Sequence, residues 1–157
     1  MNYPSCIYGP PEMLFERKKA AERDLKHIEV VAAIICDSTD YQQDNSAVLA
    51  TRRGYGKWRG WWEFPGGKVQ AGESREAALV RELKEELDAT IVIDRFLTTV
   101  DYDYPDFHLT MHCYLCHIPD GHYTLKEHSD ARWLTATTIN SVQWLPADEG
   151  LVASLFQ

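Results

Sequence analysis

The chain has 157 residues, 45% of them apolar and 25% charged, with a formal net charge of −8. That length suits one domain burying about two-thirds of the surface its unfolded form exposes, and the composition is that of an ordinary soluble globular protein. The negative charge argues against broad binding to nucleic-acid polymers, and no window approaches the roughly 20 apolar residues needed to cross a bilayer.

The start, MNYPSCIYGPPEMLFERKK, lacks the basic head and apolar run of a secretory signal, so a cytoplasmic location is expected. Residues 1–26 are expected to form an extension, irregular over 1–11 (Pro4, Gly9, Pro10, Pro11) and a short, highly charged helix over 12–26. The run IEVVAAIIC (28–36) is almost continuously apolar and branched, as expected of a buried central strand. After a polar turn, SAVLATRR (46–53) reads as a second strand, and the pair is expected to form a hairpin. GYGKWRGWWEFPGGK (54–68) reads as a long glycine-rich loop, and 74–87 as a helix with Ser74 as N-cap. Two strands follow, TIVIDRFLTTVDYDY and FHLTMHCYLCHI, joined at Pro105–Asp106. RWLT (132–135) suits a short strand, 137–142 a helical turn, and PADEGLVASLF a closing helix. The order ββ–α–ββ–α predicts an α+β fold, a mixed sheet sandwiched between helices.

Two features invite chemistry that their context does not support. Cys113 and Cys116 form a C-x-x-C, but on a strand side chains three apart face opposite ways, so reduced thiols acting as small core residues are expected. Between Arg52 and Lys68 lie five basic residues and one acidic residue, Glu63, which taken alone reads as a solvated loop.

The helix at 74–87 is more informative. Leu79, Val80, Leu83 and Leu87 fall on one stripe. Glu82, Glu85 and Glu86 are spaced i, i+3, i+4 and are therefore neighbours, on a face adjoining that stripe. Like charges so placed repel, and a divalent cation would reverse the sign of that interaction; carboxylates are the ligands that Mg2+ and Mn2+ take. Gly66–Gly67 precedes the helix, where backbone without Cβ atoms can approach a ligand closely.

The segment GKVQAGESREAALVRELKEELDA resembles the Nudix box, G-x5-E-x7-R-E-U-x-E-E-x-G-U (U apolar), at Gly67, Glu73, Arg81, Glu82, Leu83, Glu85 and Glu86. One position departs, Asp88 standing where the box has glycine; aspartate tolerates a left-handed helix end better than most residues. The resemblance runs from about Ile28 to the C-terminus, defining a Nudix domain over 27–157. EFPGGK, YDYPDFHLT and LPADE are similar to segments of the MutT-type branch in the same order.

That resemblance implies a Nudix fold and a Mg2+-dependent hydrolase, Mn2+ being able to substitute, that converts a nucleoside triphosphate to monophosphate and pyrophosphate. The implied substrates are oxidised or modified nucleotides. It implies metal binding by the Gly66 carbonyl, Glu82, Glu85, Glu86 and Glu127, with one carboxylate activating water. Gly67, Glu73 and Arg81 are expected as structural supports, and Arg53 and Lys68 as contacts to the triphosphate or sugar. Phe107 is expected either to stack on the base or simply to pack. Asp148 replaces an asparagine of MutT: ionised, it suits the amine of cytosine, and protonated it could donate to a guanine carbonyl, with cytidine slightly preferred.

Pro105 does not discriminate, since both the ADP-ribose hydrolases of the family and MutT carry a proline there. The alternatives are a Nudix hydrolase of ADP-ribose, nucleotide sugars or dinucleoside polyphosphates, and a nucleotide-binding module without hydrolysis. The full set of Glu82, Glu85 and Glu86 argues against the latter. Oligomeric state is not readable from the sequence.

Overall fold

The computed structural model describes residues 25–38, 41–43 and 45–156. The expected helix at 12–26 falls almost wholly outside these residues, and Lys26 already belongs to the first strand. In chain order the elements are β1 (Lys26–Ile35), β2 (Val48–Arg53), β3 (Trp62–Glu63), β4 (Gly66–Lys68), α1 (Arg75–Leu87), β5 (Val92–Tyr104), β6 (Phe107–His117), β7 (His128–Leu134) and α2 (Pro146–Leu155).

They build two sheets, a four-stranded one in the order β4-β1-β6-β5 and a three-stranded one in the order β3-β2-β7. β1 is central in the first, parallel to β6 and antiparallel to β4. Its unbroken apolar run has a direct cause. Val30, Ala32 and Ile34 enter a core shared with the three-stranded sheet and α2, while Val31, Ala33 and Ile35 enter a second core beneath α1. A strand covered on both faces needs apolar residues at every position. This is an α+β fold, a mixed four-stranded sheet covered on one face by α1 and on the other by the three-stranded sheet and α2.

The expected hairpin of β1 with β2 does not form. β2 pairs with β3 and β7, and the two segments are linked by an isolated bridge, Cys36 to Val48, and by hydrogen bonds between Asp37 and Ala47. The reason is that both edges of β1 are taken, by β4 and β6, so the chain crosses to the other sheet after the turn. The hairpin of β5 and β6 around Pro105–Asp106 is present, in register from Tyr104–Phe107 outward with two bulges. The loop 54–68 also contains more order than its glycines suggest, since β3 and β4 lie within it.

α1 begins and ends as its residues dictate. Ser74 accepts a hydrogen bond from the Ala77 N–H at 3.1 Å. Asp88 adopts the left-handed conformation (φ 47°) and donates its N–H to the Leu83 and Lys84 carbonyls. Ala78, Leu79, Leu83 and Leu87 form the buried face, whereas Val80, expected on it, is 45% exposed. Ala78 lies on the buried face instead.

The cysteines divide between the cores, Cys113 in one and Cys116 in the other. Burial pushes both thiols up, Cys116 to about 12, so both stay neutral packing residues. No helix of the described residues is long and apolar enough to cross a membrane.

Candidate active site

The box residues meet where β4 runs into α1. Gly66 and Gly67 pair with Ala32 and Val31 of β1, and each is glycine for a different reason. A Cβ on Gly66 would stand 1.9 Å from the Val31 carbonyl oxygen, so strand pairing requires its absence. A Cβ on Gly67 would stand 2.3 Å from Cδ of Glu82, so the Glu82 carboxylate occupies the space that a side chain would fill.

Arg81 ties this junction together. Its Nε and Nη2 donate to the two Glu73 oxygens at 2.8 and 2.9 Å, and Nη2 also donates to the Lys68 carbonyl at 2.9 Å. The hydrogen bonds from Arg81 hold the Glu73 carboxyl down to about 2. Glu73 and Arg81 therefore fix the loop to the helix. Lys68 keeps its ammonium in solvent while its backbone serves the clamp.

The three helical glutamates are graded in depth. Glu85 lies outermost, its side chain 57% exposed, Glu82 is at 15%, and Glu86 is buried. Burial pushes Glu86 up to about 9, and the negative charges of Glu63, Glu82 and Glu127 add to the push. Glu82 is raised too, by burial first and against the pull of Arg81.

Among the described residues no three carboxylate or imidazole groups already converge on one point as metal ligands. The cause is visible in Arg81, whose Nη1 holds Glu82 Oε1 at 2.9 Å and Glu85 Oε2 at 3.3 Å. The donor set nevertheless fits a hard divalent cation. Several carboxylates crowd around a glycine cradle, and like charges so close favour a cation between them.

Glu127 is exposed, immediately before β7, and its charge reaches Glu86. With Arg53, Gly54, Tyr55, Glu63 and His128 it lines a small cavity beside the cluster.

Sequence reasoning missed Glu63 and His128. Glu63 is 3% exposed, accepts from Arg53 Nη1 at 3.2 Å and lies 3.1 Å from His128 Nε2. Its signal was present, as the lone carboxylate of a basic run. Pairing with β2 sets Glu63 opposite Thr51 and turns it inward.

Two of the expected substrate contacts, Arg53 and Phe107, lie buried in the fold. Arg53 is 5% exposed and its guanidinium is paired with Glu63, while the residue lines the small cavity beside the cluster. Phe107 is 1% exposed and stacks on Tyr104 with ring centroids 4.7 Å apart, the packing arrangement that is one of its two expected roles.

Asp148 comes from the far end of the chain. Trp62 N–H donates to the Gln143 carbonyl and Leu145 N–H to the Trp62 carbonyl, each at 2.8 Å, docking the start of α2 on β3. Asp148, 1% exposed, then accepts from the Phe64 N–H at 3.0 Å through Oδ1. Its Oδ2 is buried without a hydrogen-bond partner among the described residues. Burial raises the carboxyl well above its usual range, Glu63 adds to this, and the Phe64 hydrogen bond opposes it.

Comparison with known proteins places this geometry. The NUDIX domain family pattern matches residues 26–155. The chain is 38% identical to an 8-oxo-dGTP diphosphatase of Proteus vulgaris over 92 residues, 59% of this chain and 78% of that protein. It is 35% identical to a CTP pyrophosphohydrolase of Escherichia coli K12 over 126 residues, 79% and 87% of the two chains. Among solved structures, the solution structure of the E. coli ORF135 protein superposes with a TM-score of 0.66 at 32% identity, covering 83% of this chain and 89% of that one. The chain belongs to the Nudix family, in its MutT-type branch, and is a hydrolase of phosphoric anhydrides.

Proposed function

We propose that the protein is a Mg2+-dependent nucleoside triphosphate pyrophosphohydrolase, releasing a monophosphate and pyrophosphate from oxidised or otherwise modified nucleotides. The observation that carries this reading is the burial of Glu86 among Glu63, Glu82 and Glu127, beside the cradle of Gly66 and Gly67. Glu82, Glu85, Glu86, Glu127 and the Gly66 carbonyl are the groups we assign to the metal. Bound there, Mg2+ or Mn2+ would neutralise phosphate charge and acidify water. One of these carboxylates orients the attacking water and takes its proton as the phosphoanhydride bond breaks. Arg81 and Glu73 keep Glu82 on the glycine cradle, and Lys68, at the rim, offers its charge to the triphosphate.

Base selection is assigned to Asp148. A neutral carboxyl presents a donor and an acceptor side by side, as the amide of asparagine does. Cytosine presents the complementary pair at N3 and its amine. 8-Oxoguanine presents it at O6 and the protonated N7, where ordinary guanine has two acceptors. One chemistry thus accounts for likeness both to an 8-oxo-dGTP diphosphatase and to a CTP pyrophosphohydrolase. The test is a panel of ordinary, 8-oxo and 5-substituted nucleotides, assayed for pyrophosphate against phosphate with and without Mg2+. Pyrophosphate from 8-oxo-dGTP or a modified cytidine triphosphate, in preference to dGTP, is expected. Cleavage only of ADP-ribose or nucleotide sugars overturns the reading.

A further inference from the structure

The loop between β2 and β3 is closed at its base and pinned at its middle. Arg53 N–H donates to the Trp61 carbonyl and Gly60 N–H to the Arg53 carbonyl, both at 2.9 Å. Within it, Arg59 N–H reaches the Gly56 carbonyl at 3.2 Å and Trp61 N–H the Trp58 carbonyl at 3.0 Å. Trp58 is buried, and its ring contacts Trp61 and Tyr104. Between these fixed points stands Tyr55, with 46% of its surface exposed. Burying an aromatic ring is favourable, so a tyrosine held out in solvent on an anchored loop asks for a reason.

Tyr55 lines the small cavity with Arg53, Gly54, Glu63, Glu127 and His128. Partial burial raises its phenol, and the charges of Glu127, Glu86 and Glu63 raise it further against the pull of Arg53, so the hydroxyl is a protonated donor. It has no hydrogen bond among the described residues. Lys57 and Arg59, on the same loop, are exposed and without an ion pair among the described residues. A donor on a residue that shares a cavity with Glu63 and Glu127, on a loop bearing exposed cations, suits the oxygens of a metal-bound phosphate chain.

We propose that Tyr55 is a further substrate contact, its hydroxyl donating to a phosphate oxygen of the chain held at the carboxylate cluster. This rests on the functional reading above as far as the cluster takes Mg2+ and phosphate, and it is independent of the base. The contact is absent in a phenylalanine and needs neither movement of the loop nor titration of the phenol.

The test is calorimetric titration of the full chain with inorganic pyrophosphate at saturating Mg2+, for wild type, Tyr55→Phe and Tyr55→Ala. Mn2+ binding by electron paramagnetic resonance and the melting temperature are followed in parallel. Tyr55→Phe should weaken pyrophosphate about 10-fold, the scale of one hydrogen bond to a charged acceptor, and leave Mn2+ affinity and melting temperature unchanged. Equal affinity of Tyr55→Phe and wild type overturns the contact, even if Tyr55→Ala binds weakly, since the ring alone would then suffice. Loss of Mn2+ affinity in Tyr55→Phe overturns it too, placing the hydroxyl on the metal shell. So does a wild type that binds no pyrophosphate. If wild type binds Mg2+-pyrophosphate through Tyr55 and yet cleaves no nucleoside triphosphate, the functional reading fails and the Tyr55 contact stands.

Discussion

Gly67 stands against Glu82 so closely that a Cβ at residue 67 would lie 2.3 Å from the Glu82 carboxyl carbon. Its neighbour Gly66 stands closer still, to backbone, the Val31 carbonyl oxygen lying 1.9 Å from the same kind of Cβ. The difference in what is struck separates function from fold. A glutamate side chain can swing aside at modest cost, whereas a carbonyl paired in a central strand cannot. Gly67→Ala should therefore melt within a few degrees of wild type and lose about 100-fold or more in turnover, because Glu82 is displaced from the cradle. Gly66→Ala should be destabilised by more than about 2 kcal/mol in urea unfolding. Near-normal turnover of Gly67→Ala would remove Glu82 from the site.

Glu86 leads to a prediction about metal. Burial and three neighbouring carboxylates raise its carboxyl to about 9, so the metal-free fold carries this group at a cost. Millimolar Mg2+ or Mn2+ should raise the melting temperature by about 2–5 °C, through binding to the native state alone. In Glu86→Gln the metal-free protein should melt at or above wild type, the metal-induced rise should vanish, and turnover should fall by about 100- to 10,000-fold. A full metal shift in Glu86→Gln would show that the ion sits elsewhere.

What was legible in the chain divides along a physical line. α1 could be read from cap to cap because Ser74, the leucine spacing and Asp88 act locally, within a few residues of one another. The Glu73–Arg81 clamp is eight residues apart in sequence and came with the box. β1 was legible as a buried strand but not in its pairing, since its partners Gly66–Lys68 and Phe107–Cys116 are distant and alternation says nothing of which edge meets which. Arg53 and Phe107 show the same limit at single residues. A cation on a strand of otherwise buried residues reads alike whether it faces phosphate or a buried carboxylate, and only the position of Glu63 decides. Asp148 was recognisable as a candidate, but its contact to Phe64 spans 84 residues and needs the docking of α2 on β3.

The buried pair of Arg53 and Glu63 predicts a large effect on stability. Both side chains are about 5% exposed, and His128 completes the group on the Glu63 side. Removing one member leaves a buried charge beside Glu86, and such losses cost about 3–5 kcal/mol. Arg53→Met should lose that much in chemical denaturation. Adding Glu63→Gln to it should restore part, because the orphaned carboxylate is then gone. Additive losses in the double variant would mean that the two side chains do not depend on each other.

Asp148 makes the prediction that depends on pH. Its carboxyl is raised in the folded chain above the value of about 3.9 that it takes when unfolded. A group shifted upward contributes its stability fully below the unfolded value, and loses it as pH rises towards the folded one, because the unfolded chain ionises first. Asp148→Asn removes that titration and keeps the shape and the Phe64 contact. The melting temperature of Asp148→Asn minus that of wild type should therefore grow steadily from about pH 4 upward. Activity should follow the same group: Asp148→Asn keeps a donor and an acceptor and should stay within about 10-fold of wild type on the preferred nucleotide near neutrality, whereas Asp148→Ala loses both. As pH rises through the raised pKa of the wild-type carboxyl, the group ionises and can only accept, so the ratio of wild-type to Asp148→Asn activity should fall. A ratio independent of pH, with Asp148→Ala as active as wild type, would leave Asp148 as a structural bond to Phe64 and assign base selection to other residues.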